Sequence, residues 1–267
     1  MKIKYAIMGS NMNPLYYDFW PIISKTWKEV FDITPVLGLI CDENSDIIQD
    51  SYGLIKKFKS IDGIDDGLQS QIVRFYLPTL LDDISITSDI DMVPLSKKYF
   101  IDYVNSFDEN KFYVMTSDNP ECLRNREYQM CYNIAKPQLF KDVLKIEESW
   151  VDFVNKLKNL GFGWTTDQRY LYDMINAYVN KENIVLLNRG FSGFAHNRID
   201  RAIWRYDVNA VKNGDYIDSH LLRPYQEHKT EINNLSLAIP SQACKCAPLL
   251  VTAKTSLQRK KLLIKTL

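Results

Sequence analysis

Two carboxylates one residue apart stand where an apolar run ends: Ile84-Ser85-Ile86-Thr87-Ser88-Asp89-Ile90-Asp91-Met92-Val93-Pro94-Leu95. Alternate residues of an extended segment point the same way, so Asp89 and Asp91 can reach one cation together. Hard divalent ions such as Mg²⁺ or Mn²⁺ take a few carboxylate oxygens and complete their shell with substrate phosphates. A bare Asp-x-Asp triplet is usually a solvated turn. The strand before this one, and Pro94-Leu95 after it, set it apart, because open α/β sheets bind ligands beyond the carboxyl ends of their strands. The chemistry this predicts is a cation that neutralises a departing diphosphate, as Lewis acid and template.

A sheet must position such a pair, and the chain supplies the pattern of one. Ile3, Tyr5 and Ile7 alternate over residues 2–8 and lead into Gly9-Ser10-Asn11, a first strand ending in a polar loop. Leu15, Phe19, Ile22, Ile23, Trp27 and Val30 recur at helical spacing from Pro14 to Phe31, with Pro21 as a kink. Residues 35–41 are a continuous apolar run of the kind found in buried parallel strands. A helix is expected over 67–81, with Ile72, Phe75 and Leu80 inward and a bend at Pro78, then a short strand at 84–87. Further strands are expected at 111–116, 128–134 and 183–187, and further helices at 140–144, 149–160 and 166–179. Strands alternating with helices predict an α/β sheet covered on both faces. The rhythm breaks near residue 233, so the expected organisation is one domain over 1–232 and a C-terminal tail, 233–267, which either wraps the domain or mediates an association.

The 267 residues carry 33 Lys and Arg against 33 Asp and Glu, a balance without the basic surplus of a nucleic-acid binder. The basic end, Arg259, Lys260, Lys261 and Lys265, reads as a solvated tail. Met1 to Met8 is too short and alternating for a signal peptide, and no apolar run reaches the roughly 18 residues of a membrane span. The expectation is a cytoplasmic protein without a transmembrane segment. Cys41, Cys122, Cys131, Cys244 and Cys246 are odd in number and scattered, which suits free thiols in a reducing compartment. Cys244-Lys245-Cys246 has neither a second pair nor a nearby His, so it is not read as a zinc site.

The order of strand, Ser-Asn loop, helix, Arg-bearing helix and Asp-x-Asp resembles a nucleotide-sugar glycosyltransferase of the GT-A fold. It is similar to the small single-domain enzymes of large algal DNA viruses and, more distantly, to the retaining family 8 (glycogenin-like) transferases, over residues 1–225. The resemblance implies a single Rossmann-like mixed sheet with helices on both faces, a UDP- or GDP-sugar donor, a glycan or other hydroxyl acceptor, and Mn²⁺ or Mg²⁺. It assigns Ser10, Asn11 and Asn13 to the donor's base and ribose, although Asn13 before Pro14 also suits a helix cap. Arg74, on a helix with Gln69 and Gln71, is expected on the donor, as is Asp89. Asp118 and Asn119 either bind a sugar hydroxyl or form an Asx-turn before Pro120.

In Gly163-Trp164-Thr165-Thr166-Asp167-Gln168 the resemblance implies catalytic roles for Asp167 and Gln168. Asp167 would be a general base in an inverting reaction, or would stabilise the departing oxocarbenium-like sugar in a retaining one. The alternative is that Thr165 or Thr166 caps a helix whose dipole Asp167 favours. Trp164 is a sugar-stacking surface for the acceptor. The third cation ligand is expected from a late His. His220, in His220-Leu221-Leu222-Arg223-Pro224-Tyr225, competes with His196 of a Gly-bearing loop, which would contact metal or sugar; His228 is set aside. Two other classes remain open. A Mg²⁺-dependent nucleotidyl- or phosphotransferase would also use paired carboxylates, but the sequence has no Gly-rich phosphate loop with Lys and Ser/Thr. The other is an inactive carbohydrate-binding protein.

Overall fold

In the computed structural model, residues 1–189 and 198–240 are described. Their elements run β1 (Tyr5–Asn11), α1 (Pro14–Tyr17), α2 (Trp20–Phe31), β2 (Thr34–Ile40), β3 (Leu54–Phe58), α3 (Asp66–Tyr76), β4 (Ser85–Thr87), β5 (Met92–Pro94), β6 (Phe112–Val114) and α4 (Pro120–Arg124). They continue with β7 (Asn133–Ala135), α5 (Pro137–Leu144), α6 (Trp150–Lys158), α7 (Thr166–Ala177), β8 (Ile184–Leu186), β9 (Arg198–Ile199), α8 (Val208–Lys212), β10 (Asp218–His220) and α9 (Lys229–Ala238).

Seven strands form one mixed sheet in the order β3-β2-β1-β4-β7-β6-β8. β1, β2, β3 and β4 are parallel, β7 is antiparallel to β4 and β6, and β8 is parallel to β6. Successive residues of β1 serve opposite faces, as a period of two requires. Ala6 and Met8 join Leu37, Leu39 and Ile86 under Trp20, Ile23 and Trp27 of α2, while Ile7 joins Val36 and Ile40 under Val73 of α3. The expected α/β sheet with helices on both faces is therefore observed. A small second sheet, β5-β10-β9, pairs β10 antiparallel with β5 and parallel with β9.

Several expected elements shift for local reasons. The long helix from Pro14 divides into α1 and α2, and Pro21 lies in the first turn of α2, where its missing N–H costs nothing. The helix expected over 67–81 ends as α3 at Tyr76 and continues as a tighter turn, Leu77–Leu80. The strand expected over 128–134 is confined to β7. α9 buries Ile232, Leu235 and Ala238 in the same cluster as α2, so the expected boundary at 232/233 falls inside a helix packed on the domain. Among the described residues no helix is long and apolar enough to cross a membrane. Cys41, Cys122 and Cys131 are free thiols, and Cys244 and Cys246 lie outside the described residues.

Candidate active site

A cavity of about 510 Å³ opens where β1 and β4 end. Ser10 and Asn11 line it from the end of β1, which runs on through residues expected as a loop; Asn13, whose side chain also caps α1, lines it from the turn that follows, and Asp89 and Asp91 from the segment after β4. Arg74 of α3 enters from one side, Asp167 and Gln168 of α7 from another, and His220 of β10 from a third. Trp164, 64% exposed, also lines it. Ten of the residues singled out in the sequence thus share one cavity.

Two glycines set the position of Arg74. A Cβ on Gly9 would lie 2.0 Å from the Ser70 carbonyl oxygen, and one on Gly38 would lie 2.6 Å from Val73. Only bare backbone at these strand positions lets α3 come so close to the sheet. Arg74, 7% exposed, then spans two carboxylates: one Nη donates to Asp89, and the other donates to Asp167 Oδ2 at 2.6 Å. Asp167, 1% exposed, also accepts from the Gln168 N–H through Oδ1 at 2.8 Å. Burial raises the Asp167 carboxyl above its ordinary value; Arg74 opposes this without cancelling it. Asp167 lies in the first turn of α7, where a negative charge is favoured by the dipole. Neither threonine caps that helix: Thr165 makes no capping bond, and the Thr166 hydroxyl donates back to Gly163.

Asp91 and His220 meet through the small sheet. The register pairs His220 with Met92, and the Leu221 N–H donates to the Asp91 carbonyl at 2.9 Å. His220 Nε2 then lies 3.5 Å from Asp91 Oδ2. Two arginines share that oxygen: Arg201 Nη2 at 2.9 Å and Arg223 Nε at 3.6 Å, the latter stacked 4.9 Å above the Tyr16 ring. Burial, then the charge of Asp89, hold the Asp91 carboxyl above its ordinary value against His220 and Arg223. Two carboxylates in mutual repulsion beside an imidazole make a donor set that suits Mn²⁺ or Mg²⁺. Guanidinium groups occupy these ligands instead, Arg74 on Asp89 and Arg201 on Asp91. Among the described residues no three His, Cys, Asp or Glu side chains are already grouped to hold a metal ion. The donor chemistry therefore fits, in an arrangement that has arginines on it.

Cys131 also lines the cavity, but burial and then the charge of Asp89 push its thiol up to about 12. A thiol so held is no nucleophile. Asp118 and Asn119 are not among the residues lining the cavity, which corrects the sugar-contact expectation; the alternative, a turn before Pro120, is what the structure has. Asn119 caps α4, accepting from Glu121 and Cys122, and Asp118 accepts from the Arg189 N–H at 3.1 Å. They follow β6, and β7 separates β6 from β4, so this strand end lies further along the sheet. His196 lies outside the described residues.

Behind the cavity stands a group that sequence reasoning missed. Asp218, fully buried, accepts from Arg198 through both oxygens at 2.7 and 3.0 Å and from Tyr132 at 3.0 Å, with Arg189 Nη2 also 3.0 Å away. Burial alone would raise its carboxyl; Arg189 and Arg198, with the Tyr132 hydroxyl, outweigh it and bring it to about 2. A lowered folded-state value stabilises above the ordinary value of 3.8, and that contribution is lost as pH falls from there toward about 2. Asp218→Asn takes the shared anion from two guanidinium groups, the buried one of Arg189 and the part-exposed one of Arg198, and is expected to cost about 3–5 kcal/mol at neutral pH. Thermal melts at neutral pH and near pH 3 check this, since the gap between variant and wild type should narrow in acid. Nothing periodic in Ile217-Asp218-Ser219-His220 announces this role.

The sequence matches no protein-family description and no curated protein. Solved structures similar to it include a glycosyltransferase involved in glycosylation of the major capsid of PBCV-1, at 6% identity and TM-score 0.47, covering 88% of this chain and 100% of that one. The galactosyltransferase LgtC, in complex with donor and acceptor sugar analogues, is 11% identical at TM-score 0.49, over 89% of this chain and 96% of that one. Mouse xyloside xylosyltransferase 1 is 7% identical at TM-score 0.41, over 83% of this chain and 98% of that one.

Proposed function

We propose that this chain transfers a sugar from a nucleotide-diphosphate sugar to a hydroxyl acceptor in the cavity beyond β1 and β4. One observation carries the reading: Arg74 joins Asp89, at the end of β4, to Asp167, at the start of α7, across the cavity. A donor lying along that line has its diphosphate end at Asp89 and Asp91 and its sugar at Asp167. A cavity of about 510 Å³ lies within the range of small-ligand sites.

Ser10, Asn11 and Asn13 offer amide and hydroxyl groups to the base and ribose, where UDP- and GDP-sugars are the candidates. Asp89, Asp91 and His220 would hold Mn²⁺ or Mg²⁺, which supplies charge neutralisation for the diphosphate leaving group. Arg74 places a fixed positive charge between that group and the sugar, in a setting too buried to reorganise at the moment of reaction. Asp167 engages Arg74 through one oxygen and the α7 backbone through the other. That double hold favours an anion that stays in place beside a developing positive sugar over a base that must leave its partners. Gln168 adds an amide beside it, and the exposed Trp164 ring offers the acceptor an apolar platform.

The test is to incubate the protein with a panel of UDP- and GDP-sugars and Mn²⁺ and to assay free nucleotide. Slow, metal-dependent hydrolysis of one donor is the expected result. Cleavage confined to a nucleoside triphosphate would replace the reading with nucleotidyl or phosphoryl transfer. Sugar binding without any turnover would leave a carbohydrate-binding protein.

A further inference from the structure

Arg201 has no part in the transfer described above, yet it grips the site. It lies in the turn after β9, and its side chain is 19% exposed. Nη2 lies 2.9 Å from Asp91 Oδ2, and Nε donates to His220 Nδ1 at 3.2 Å. Its remaining nitrogen, Nη1, is buried and has no hydrogen-bond partner among the described residues. A single guanidinium thus engages two of the three groups that would hold the cation and keeps one donor unspent.

The two occupants exclude each other on proton bookkeeping as well as on charge. A neutral His220 that accepts from Arg201 at Nδ1 carries its proton on Nε2, the nitrogen facing Asp91. A metal needs a bare Nε2, which requires the proton on Nδ1 and therefore the loss of the Arg201 contact. On Asp91, a cation would meet the guanidinium's positive charge at the same oxygen. Arg201 must leave for the cation to bind. An oxygen-rich anion that gives all its N–H groups a partner, Nη1 included, is what could draw it off; diphosphate oxygens match the planar fork.

We propose that Arg201 couples cation binding to donor binding: it occupies Asp91 and His220 in the donor-free protein, then turns onto the diphosphate and yields both ligands to the metal. This rests on the sugar-transfer reading, since it takes the diphosphate and the three ligands from there. Arg223 has the opposite character. Stacked on Tyr16, it stays in place and keeps one positive charge beside Asp91 whichever occupant is present.

The test is a Mn²⁺ titration of the full chain followed through the free-ion electron paramagnetic resonance signal, with and without UDP or GDP. Wild type is expected to bind Mn²⁺ weakly alone and about tenfold more tightly with the nucleotide, within the usual span of coupling between two ligands. Arg201→Gln is expected to bind Mn²⁺ alone about tenfold more tightly than wild type, to lose most of the nucleotide's effect, and to bind UDP or GDP less tightly when Mn²⁺ is withheld. Arg201→Lys, which keeps the charge without the fork, should fall between. If Arg201→Gln melts like wild type and its Mn²⁺ affinity is unchanged or weaker, while Asp91→Asn abolishes binding, the coupling role is wrong and the cation site stands. If neither wild type nor Arg201→Gln binds Mn²⁺ under either condition, the ligand set itself is wrong, and the coupling falls with it.

Discussion

Asp91→Asn is expected to lower metal-dependent nucleotide release by about 10²–10³-fold or more, the scale of removing a principal electrostatic stabiliser. The replacement keeps the shape and removes the charge, so the effect reports on the cation and the diphosphate rather than on packing. Folding should survive it. Burial and the neighbouring Asp89 already work against the ionised form of Asp91, so removing its charge relieves a repulsion. Arg201 and Arg223, at 19% and 26% side-chain exposure, retain access to water when their anion goes. A thermal midpoint close to that of wild type, with Mn²⁺ binding abolished, is the expected pair of results; full turnover in this variant would remove Asp91 from the site.

Arg74→Met should damage both function and stability. The guanidinium is the partner of a deeply buried Asp167, and a buried charge left without its partner costs about 3–5 kcal/mol. Turnover should fall by about 10²–10³-fold as well. The pH dependence has a definite sign. Without Arg74, burial and the charge of Asp89 are opposed only by backbone N–H groups, that of Gln168 first, and the Asp167 carboxyl rises further. A raised folded-state carboxyl stabilises the fold at low pH, and that contribution is lost as pH rises through the raised value. The variant should therefore melt closer to wild type near about pH 5 than near about pH 8. A gap that widened in acid would show that Asp167 is not the group left unpaired.

The central strands were legible because burial on both faces leaves near-continuous apolar runs, as in Val36-Leu37-Gly38-Leu39-Ile40, with Ala6-Ile7-Met8 beside them. The Asp-x-Asp segment was legible for a related reason: an apolar strand that stops at two carboxylates has few structural uses. β3 escaped notice because it is an edge strand, and its Leu54-Ile55-Lys56-Lys57-Phe58 reads as a mixed surface stretch. β5, β9 and β10 are two or three residues long, too short to display a period. The arginines were the largest omission. Arg198 and Arg201, three residues apart, and the more distant Arg223 reach the cavity only through the small sheet and the turns beside it. No spacing rule connects them, since what gathers them is the anionic pair Asp91 and Asp218. Asp118 and Asn119 stayed open between a sugar contact and a turn because a strand end is a necessary position for a site residue and not a sufficient one; Asn119 takes the turn.

The antiparallel pairing of β5 with β10 has a bearing on biogenesis. β1 to β4 can dock as soon as they leave the ribosome, for they are near neighbours in the chain and domains form from the amino end onward. The hollow they frame stays half-built until residues 218–221 arrive and clasp residues 91–94. A nascent chain halted before β10 would own all seven strands of its larger sheet, yet Asp91 would still lack the wall that carries His220, so the hollow closes only once that short strand has been made.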